Sequence, residues 1–172
     1  MNLSELVLEN RAGAARGLPS FCTANDFVLD EILGYAVEHD LPALIEATCN
    51  QVNQDGGYTG LTPADFAHRL RSKAEDAGLH SGDLILGGDH LGPNPWRHLP
   101  APEAMDRAKT LVQDYVRAGF TKIHLDASMA CGGEPLPSFE LVASRAADLC
   151  AVAEESAPNP SKLSYVIGTE VP

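Results

Sequence analysis

Asp89 and His90 stand side by side in the segment Gly87-Gly-Asp-His-Leu-Gly-Pro-Asn-Pro-Trp96, with glycines on both flanks. Neutral imidazole is a good ligand for a divalent metal such as zinc, and an adjacent carboxylate can move a proton or orient the ring. Asp89 is therefore a candidate catalytic residue and His90 a candidate metal ligand. One histidine falls short of a catalytic zinc site, which usually takes three protein ligands. The competing reading is a structural turn in which Asp89 caps neighbouring amides.

A second segment, Glu46-Ala-Thr-Cys-Asn-Gln-Val-Asn-Gln-Asp-Gly-Gly-Tyr-Thr-Gly60, holds four carboxamides and a Gly56-Gly57 pair. Carboxamides donate and accept at once, which suits the hydroxyls of a sugar, and paired glycines let backbone approach a ligand. Glu46, Asn50, Gln51 and Asn53 are the candidate substrate-binding residues here; a loop bonded to itself is the alternative. A third segment, Asp126-Ala-Ser-Met-Ala-Cys-Gly-Gly-Glu-Pro135, offers Asp126 and Ser128 to a hydroxyl or phosphate. Lys122 is a candidate substrate-binding cation, although a salt bridge to Asp126 or Glu170 is the plainer role for it. Glu170 is a candidate acid or base. Neither GxxxxGK[ST], GxSxG nor HExxH occurs, which removes P-loop, common hydrolase and zinc-protease chemistry. Cys131 has no base beside it in sequence and reads as an inert loop thiol.

These segments follow predicted strands. Strand patterns fall at Pro19–Ala24, Ala43–Thr48, Leu84–Gly88, Lys122–Ala127 and Leu163–Glu170. Four helices lie between them. Asn25 or Asp26 caps Phe27–Glu38, Thr62-Pro63 opens a helix to about Ala77, Pro102 starts one that Gly119 stops, and Ser138 opens the last. The order β-α-β-α-β-α-β-α-β means a parallel sheet with right-handed crossovers. A five-strand flavodoxin-like domain and the first half of a TIM (β/α)8 barrel both fit; a whole barrel needs about 250 residues. Lys122, His124 and Asp126 alternate onto one strand face, where a doubly wound sheet would have to cover them with a helix. The expectation is the N-terminal half of a barrel, with residues 1–172 one portion of a single domain. Open strand edges then call for a partner or for more chain.

The 172 residues carry 24 acidic and 12 basic side chains, a formal charge of −12, with 44% hydrophobic and 21% charged residues. That is a globular composition whose field repels nucleic acid and anionic membranes. Four scattered cysteines form no CxxC pair and read as free thiols. Glu5 and Glu9 interrupt the start where a secretory leader would be apolar, and no apolar run reaches the roughly 18 residues that span a bilayer. A cytoplasmic protein is expected.

The stretches IEATCNQVNQDGGYTGLTPADF, LILGGDHLGPNPW, AGFTKIHLDASMACGGEPLP and LSYVIGTEVP together resemble the non-catalytic subunit family of class II D-tagatose-1,6-bisphosphate aldolase. The resemblance runs from about residue 19 to the last residue. It implies a TIM-barrel subunit of galactitol and N-acetylgalactosamine catabolism that supports a separate catalytic aldolase subunit. Asn25-Asp26 departs from the His-Pro usual there. Asp89-His90 and Asp126-Ala127-Ser128 are also similar to class II aldolase segments, in which the aspartate moves a proton and the histidine binds zinc; the family's remaining zinc histidines would follow the fifth strand. A metal-dependent ketohexose 4-epimerase working by retro-aldol chemistry is the second reading, and a flavodoxin-like binding module the third. A sugar or sugar phosphate is the expected ligand, and the catalytic subunit or a second copy the expected partner.

Overall fold

A computed structural model describes residues 3–167. Helix α1 (Leu3–Arg11) precedes β1 (Ser20–Cys22), α2 (Asp26–Glu38), β2 (Ala43–Thr48), α3 (Pro63–Ala77) and β3 (Leu84–Leu91). Then follow a 3-10 turn at Asn94–Trp96, α4 (Ala101–Arg117), β4 (Lys122–Leu125), α5 (Phe139–Ser156), a second 3-10 turn and β5 (Ser164–Ile167). The helix starts obey the sequence signals. Asn25 accepts from the amides of Phe27 and Val28, Thr62 and Asp65 form a reciprocal capping box before Pro63, and Ser138 accepts from Leu141. Asp26 forms an ion pair with Arg69 of α3, so the Asn25-Asp26 corner is spent on capping α2 and tying it to α3.

The strands pair in parallel in the order β1-β2-β3-β4-β5. A flavodoxin-like sheet would place β1 between β2 and β3; sequential order is that of a barrel wall. The third sequence reading is thereby excluded, and the fold is the N-terminal half of a TIM-type barrel whose sheet is not closed.

One sheet face is covered by helices. Ala43, Ile45, Ala47, Leu86, Ile123 and Leu125 join a core with Leu29 and Leu33 of α2, Phe66 and Leu70 of α3 and Leu149 of α5. The α4 stripe Ala104, Ala108, Leu111, Val112 and Tyr115 buries completely, as its 3.6-residue period requires. Tyr115 carries a polar group into this buried layer. Its hydroxyl donates to the carbonyl of Val52 at 3.0 Å, which ties α4 to the loop after β2.

The other face carries Cys22, Glu46, Gly87, Lys122 and Ser164 in one row of paired residues. Thr48 and Asp89 form the row above on β2 and β3. This is the lumen face, and its polar rows sit toward the C-terminal ends of the strands, where barrel chemistry collects.

Candidate functional site

The end of β3 is not a regular strand. Gly88 pairs with Ile123 and Leu91 with Leu125, so β3 spends three steps where β4 spends two. That extra residue is a β-bulge. In regular pleating Asp89 and His90 would face opposite sides of the sheet. With His90 at φ 49°, in the left-handed region, the bulge brings both next to the same neighbour on β4.

That neighbour is His124. Its Nδ1 lies 2.8 Å from Asp89 Oδ1, and His90 Nδ1 lies 3.1 Å from Asp89 Oδ2. The two imidazoles pack 4.4 Å apart at 52°. His124 holds Asp89 well below the usual carboxylate range through this hydrogen bond, with further help from the charges of His90 and Lys122 against a partial burial that opposes it. Asp89 is thus a firm anion and acceptor at neutral pH. One donor atom from each of Asp89, His90 and His124 lies within 4.8 Å of the others. Two nitrogens and an oxygen at that spacing are donors suited to a zinc-like divalent cation, so the residues present fit such an ion.

One row lower, Lys122 Nζ lies 2.6 Å from Glu46 Oε1, with both side chains largely buried. Ser20 on β1 donates to the same oxygen. Among the described residues the carboxylate that meets Lys122 is Glu46, two strands away across the sheet, instead of the expected Asp126. Asp126 stands beyond the end of β4 and turns its Oδ1 onto its own loop, accepting from the Ser128 amide at 3.0 Å and hydroxyl at 2.6 Å. Glu170 lies outside the described residues.

The carboxamide loop is largely occupied with itself. Asn53 is buried, donates to the Cys49 carbonyl at 2.8 Å and accepts from the amides of Asp55 and Gly57. Gln51 Oε1 accepts from the Thr48 amide at 2.8 Å and lies 3.6 Å from Cys22 Sγ on the lumen wall. Asn50 is exposed. The glycine pairs also serve the fold. A Cβ at Gly57 would stand 2.4 Å from the Gln51 carbonyl oxygen, and one at Gly132 would stand 2.8 Å from those of His98 and Leu99. The close approach expected of a ligand is made by the protein's own backbone.

Two further residues belong to the site and its support. Alternation puts His124 on the lumen face, but nothing in a separation of 35 residues announces its bond to Asp89. Arg145 of α5, 7% exposed, grips Glu134 with both terminal nitrogens, and Glu134 accepts from the Cys131 amide. This clamp fixes the loop that carries Ser128.

A parallel, sequentially ordered sheet with helices on one face and a polar row at its strand ends defines a segment of a (β/α)8-barrel protein. More narrowly, the chain belongs to the family described as D-tagatose-1,6-bisphosphate aldolase subunit GatZ/KbaZ-like, whose model matches residues 3–172. It is also similar to a crystal structure described as a probable tagatose 6 phosphate kinase from Sinorhizobium meliloti 1021, with 51% identity and a TM-score of 0.84. That match covers 90% of this chain and 39% of the other, so the chain spans well under half the length of its solved relative. No helix among the described residues is long and apolar enough to cross a membrane.

Proposed function

We propose that the chain forms the site-bearing wall of an accessory, non-catalytic subunit of D-tagatose-1,6-bisphosphate aldolase, one that supports the activity and stability of a separate catalytic subunit in galactitol and N-acetylgalactosamine breakdown. The observation that carries this reading is the family match over residues 3–172, whose description is that of an aldolase subunit. The negative field of a chain with net charge −12 disfavours nucleic acid and anionic membranes as partners, and an anionic sugar phosphate would need a local positive group such as Lys122. Co-purification with the catalytic subunit tests it. Saturating amounts of this protein are expected to raise lyase activity and thermal half-life of the partner; unchanged values at saturation overturn the reading.

A second reading has its own support in the Asp89–His90–His124 cluster, an arrangement that a purely scaffolding subunit does not need. It is a ketohexose 4-epimerase acting by retro-aldol cleavage. Asp89 accepts the proton of the C4 hydroxyl as the C3–C4 bond breaks; the bond's electron pair passes to C3 as an enediolate, leaving an aldehyde at C4. Rotation of the aldehyde, re-addition to its opposite face and return of the proton complete the epimerisation. A divalent cation held by His90 would polarise the ketone and stabilise the enediolate. In this reading Lys122, Glu46, Asn50, Gln51, Asp126 and Ser128 would supply donors and acceptors for the remaining hydroxyls, while Asn53 holds the loop that carries Asn50 and Gln51. A fructose-to-tagatose assay with metal analysis decides: bound metal with turnover supports the reading, and absence of both sinks it.

A further inference from the structure

We propose that the lumen wall formed by this chain selects an uncharged polyhydroxy ketone over its phosphate esters, and that Glu46 sets this choice by occupying Lys122. The inference deepens the second reading above and rests on it, since there the wall takes a ketose. It is tested by binding, so the two can fail separately.

A protein holds a phosphate with a free cation or with unspent backbone amides. Lys122 is the lysine of the polar row on the lumen face. Its Nζ lies 2.6 Å from Glu46 Oε1, with the two side chains 14% and 4% exposed. An incoming phosphate that drew Lys122 away would leave a buried carboxylate without its counter-charge, beside a second anion. The fold is shaped around the pair: a Cβ at Gly87, which lies between them, would stand 2.7 Å from Glu46 Cγ. Asp89, in the row above, adds another carboxylate to the wall. Two arginines of the flanking helices are spent in the same way, Arg107 on Asp55 and Arg145 on Glu134. Arg97 is exposed in the loop after β3, outside the strand rows.

The backbone supplies an independent argument. In a barrel the helix after each strand opens toward the site, and free amides at a helix N-terminus are a ready phosphate seat. Here side chains already hold such amides: Asn25 those of Phe27 and Val28 in α2, Thr62 that of Asp65 in α3, and Ser138 that of Leu141 in α5. The first turns of α2, α3, α4 and α5 each carry a carboxylate (Asp26, Asp65, Glu103 and Glu140), which answers the positive end of the helix and repels a second anion. The same lumen groups suit hydroxyls. Ser20 and Lys122 both meet Oε1 of Glu46, so Oε2 keeps acceptor capacity, and the ammonium keeps N–H donors beyond the one aimed at Glu46. A donor and an acceptor side by side match the adjacent hydroxyls of a polyol, each of which donates and accepts; a phosphate dianion only accepts.

Titrations of this chain in metal-free buffer, followed by calorimetry and by the NMR shifts of Lys122, test the proposal. The probes are D-tagatose, D-fructose, their 6-phosphates and inorganic phosphate. The free ketoses are expected to bind and shift Lys122, and the phosphates to bind more weakly by about tenfold or more. Glu46→Gln leaves a carbonyl oxygen for Lys122 and Ser20 but removes the competing charge. It should tighten binding of the 6-phosphates by about tenfold or more, the worth of a charge-assisted hydrogen bond, and Glu46→Gln with Lys122→Gln should lose that gain. Phosphates that bind the parent chain as tightly as the free ketoses, or ketoses that do not bind it, overturn the proposal without any variant having to fold. A Glu46→Gln chain with the circular dichroism of the parent that still rejects phosphates also overturns it. A chain that binds free ketoses at Lys122 yet never interconverts them refutes the epimerase reading and leaves this inference standing. Epimerisation of a ketose 6-phosphate that binds as tightly as the free sugar does the reverse.

Discussion

Glu46 on β2 reaches over β3 to meet Lys122 on β4 at 2.6 Å, and it passes through the space that a side chain at Gly87 would fill. A Cβ at Gly87 would stand 2.7 Å from Glu46 Cγ. Three strands are thus fastened on the lumen face by one ion pair laid across a glycine, with Ser20 extending the chain of contacts to β1.

Breaking that pair from one side should be far costlier than removing it. Glu46→Leu leaves a largely buried ammonium without its counter-charge, which costs about 3–5 kcal/mol, whereas Glu46→Leu with Lys122→Met removes both charges and should recover most of the loss. Urea unfolding of the two single variants and the double variant gives the coupling as a cycle. Additive losses in the double variant would contradict the pairing.

Glycine substitutions should separate by what a new Cβ would meet. At Gly92 it would stand 1.7 Å from the carbonyl oxygen of Asp126, whose own amide is held by the Leu91 carbonyl, so Gly92→Ala should abolish soluble expression or cost more than about 3 kcal/mol. Gly34, inside α2, meets nothing within 4 Å and has no left-handed φ. Gly34→Ala should therefore stabilise by about 0.5–1 kcal/mol through helix propensity and unfolded-state entropy. Thermal melts of the two variants check both signs.

The sequence was legible where local chemistry decides. Caps at Asn25, Thr62 and Ser138 and the apolar stripe of α4 were readable because each acts within one or two turns. Alternation of Lys122 and His124 onto one strand face marks the lumen side without any knowledge of register. Three things were not readable. Helix α1 buries no side chain, and Leu3, Leu6 and Val7 make too short a stripe to announce it. The bulge at the end of β3 hides in Gly-Gly-Asp-His, which ends a strand pattern without showing that pairing continues to Leu91. The pairing of Lys122 with Glu46 depends on register across 76 positions and on a missing side chain at Gly87, neither of which a local pattern encodes.

The Arg145–Glu134 clamp should shape the acid limb of stability. Arg145 holds the Glu134 carboxyl below its ordinary range through its hydrogen bond, and the Cys131 amide adds to this. A carboxyl depressed in the folded state contributes stability that is fully present above its unfolded value of about 4.3 and is lost as pH falls through the folded value. Arg145→Met should therefore lower stability at pH 7, where the clamp is intact, and show a shallower decline below about pH 4 than the parent. Parallel acid-denaturation curves for the two proteins would contradict this.

Cys22 offers a chemical probe of the lumen charge. It is solvent-exposed, yet partial desolvation foremost, and then the Asp89 carboxylate beside it, push its thiol up to about 12. At pH 8 the thiolate, the reactive form, is then a minute fraction, so Cys22 should alkylate more than tenfold slower than an unperturbed cysteine of pKa about 8.5. Cys49 is buried with its thiol also pushed up to about 12, and should react only on unfolding. Asp89→Asn removes one of the charges that raise Cys22 and should speed its labelling, while Cys49 stays protected. Peptide mapping of iodoacetamide adducts separates the two sites. Equal labelling of Cys22 in the parent and Asp89→Asn would show that the Asp89 charge does not reach the β1 side of the lumen.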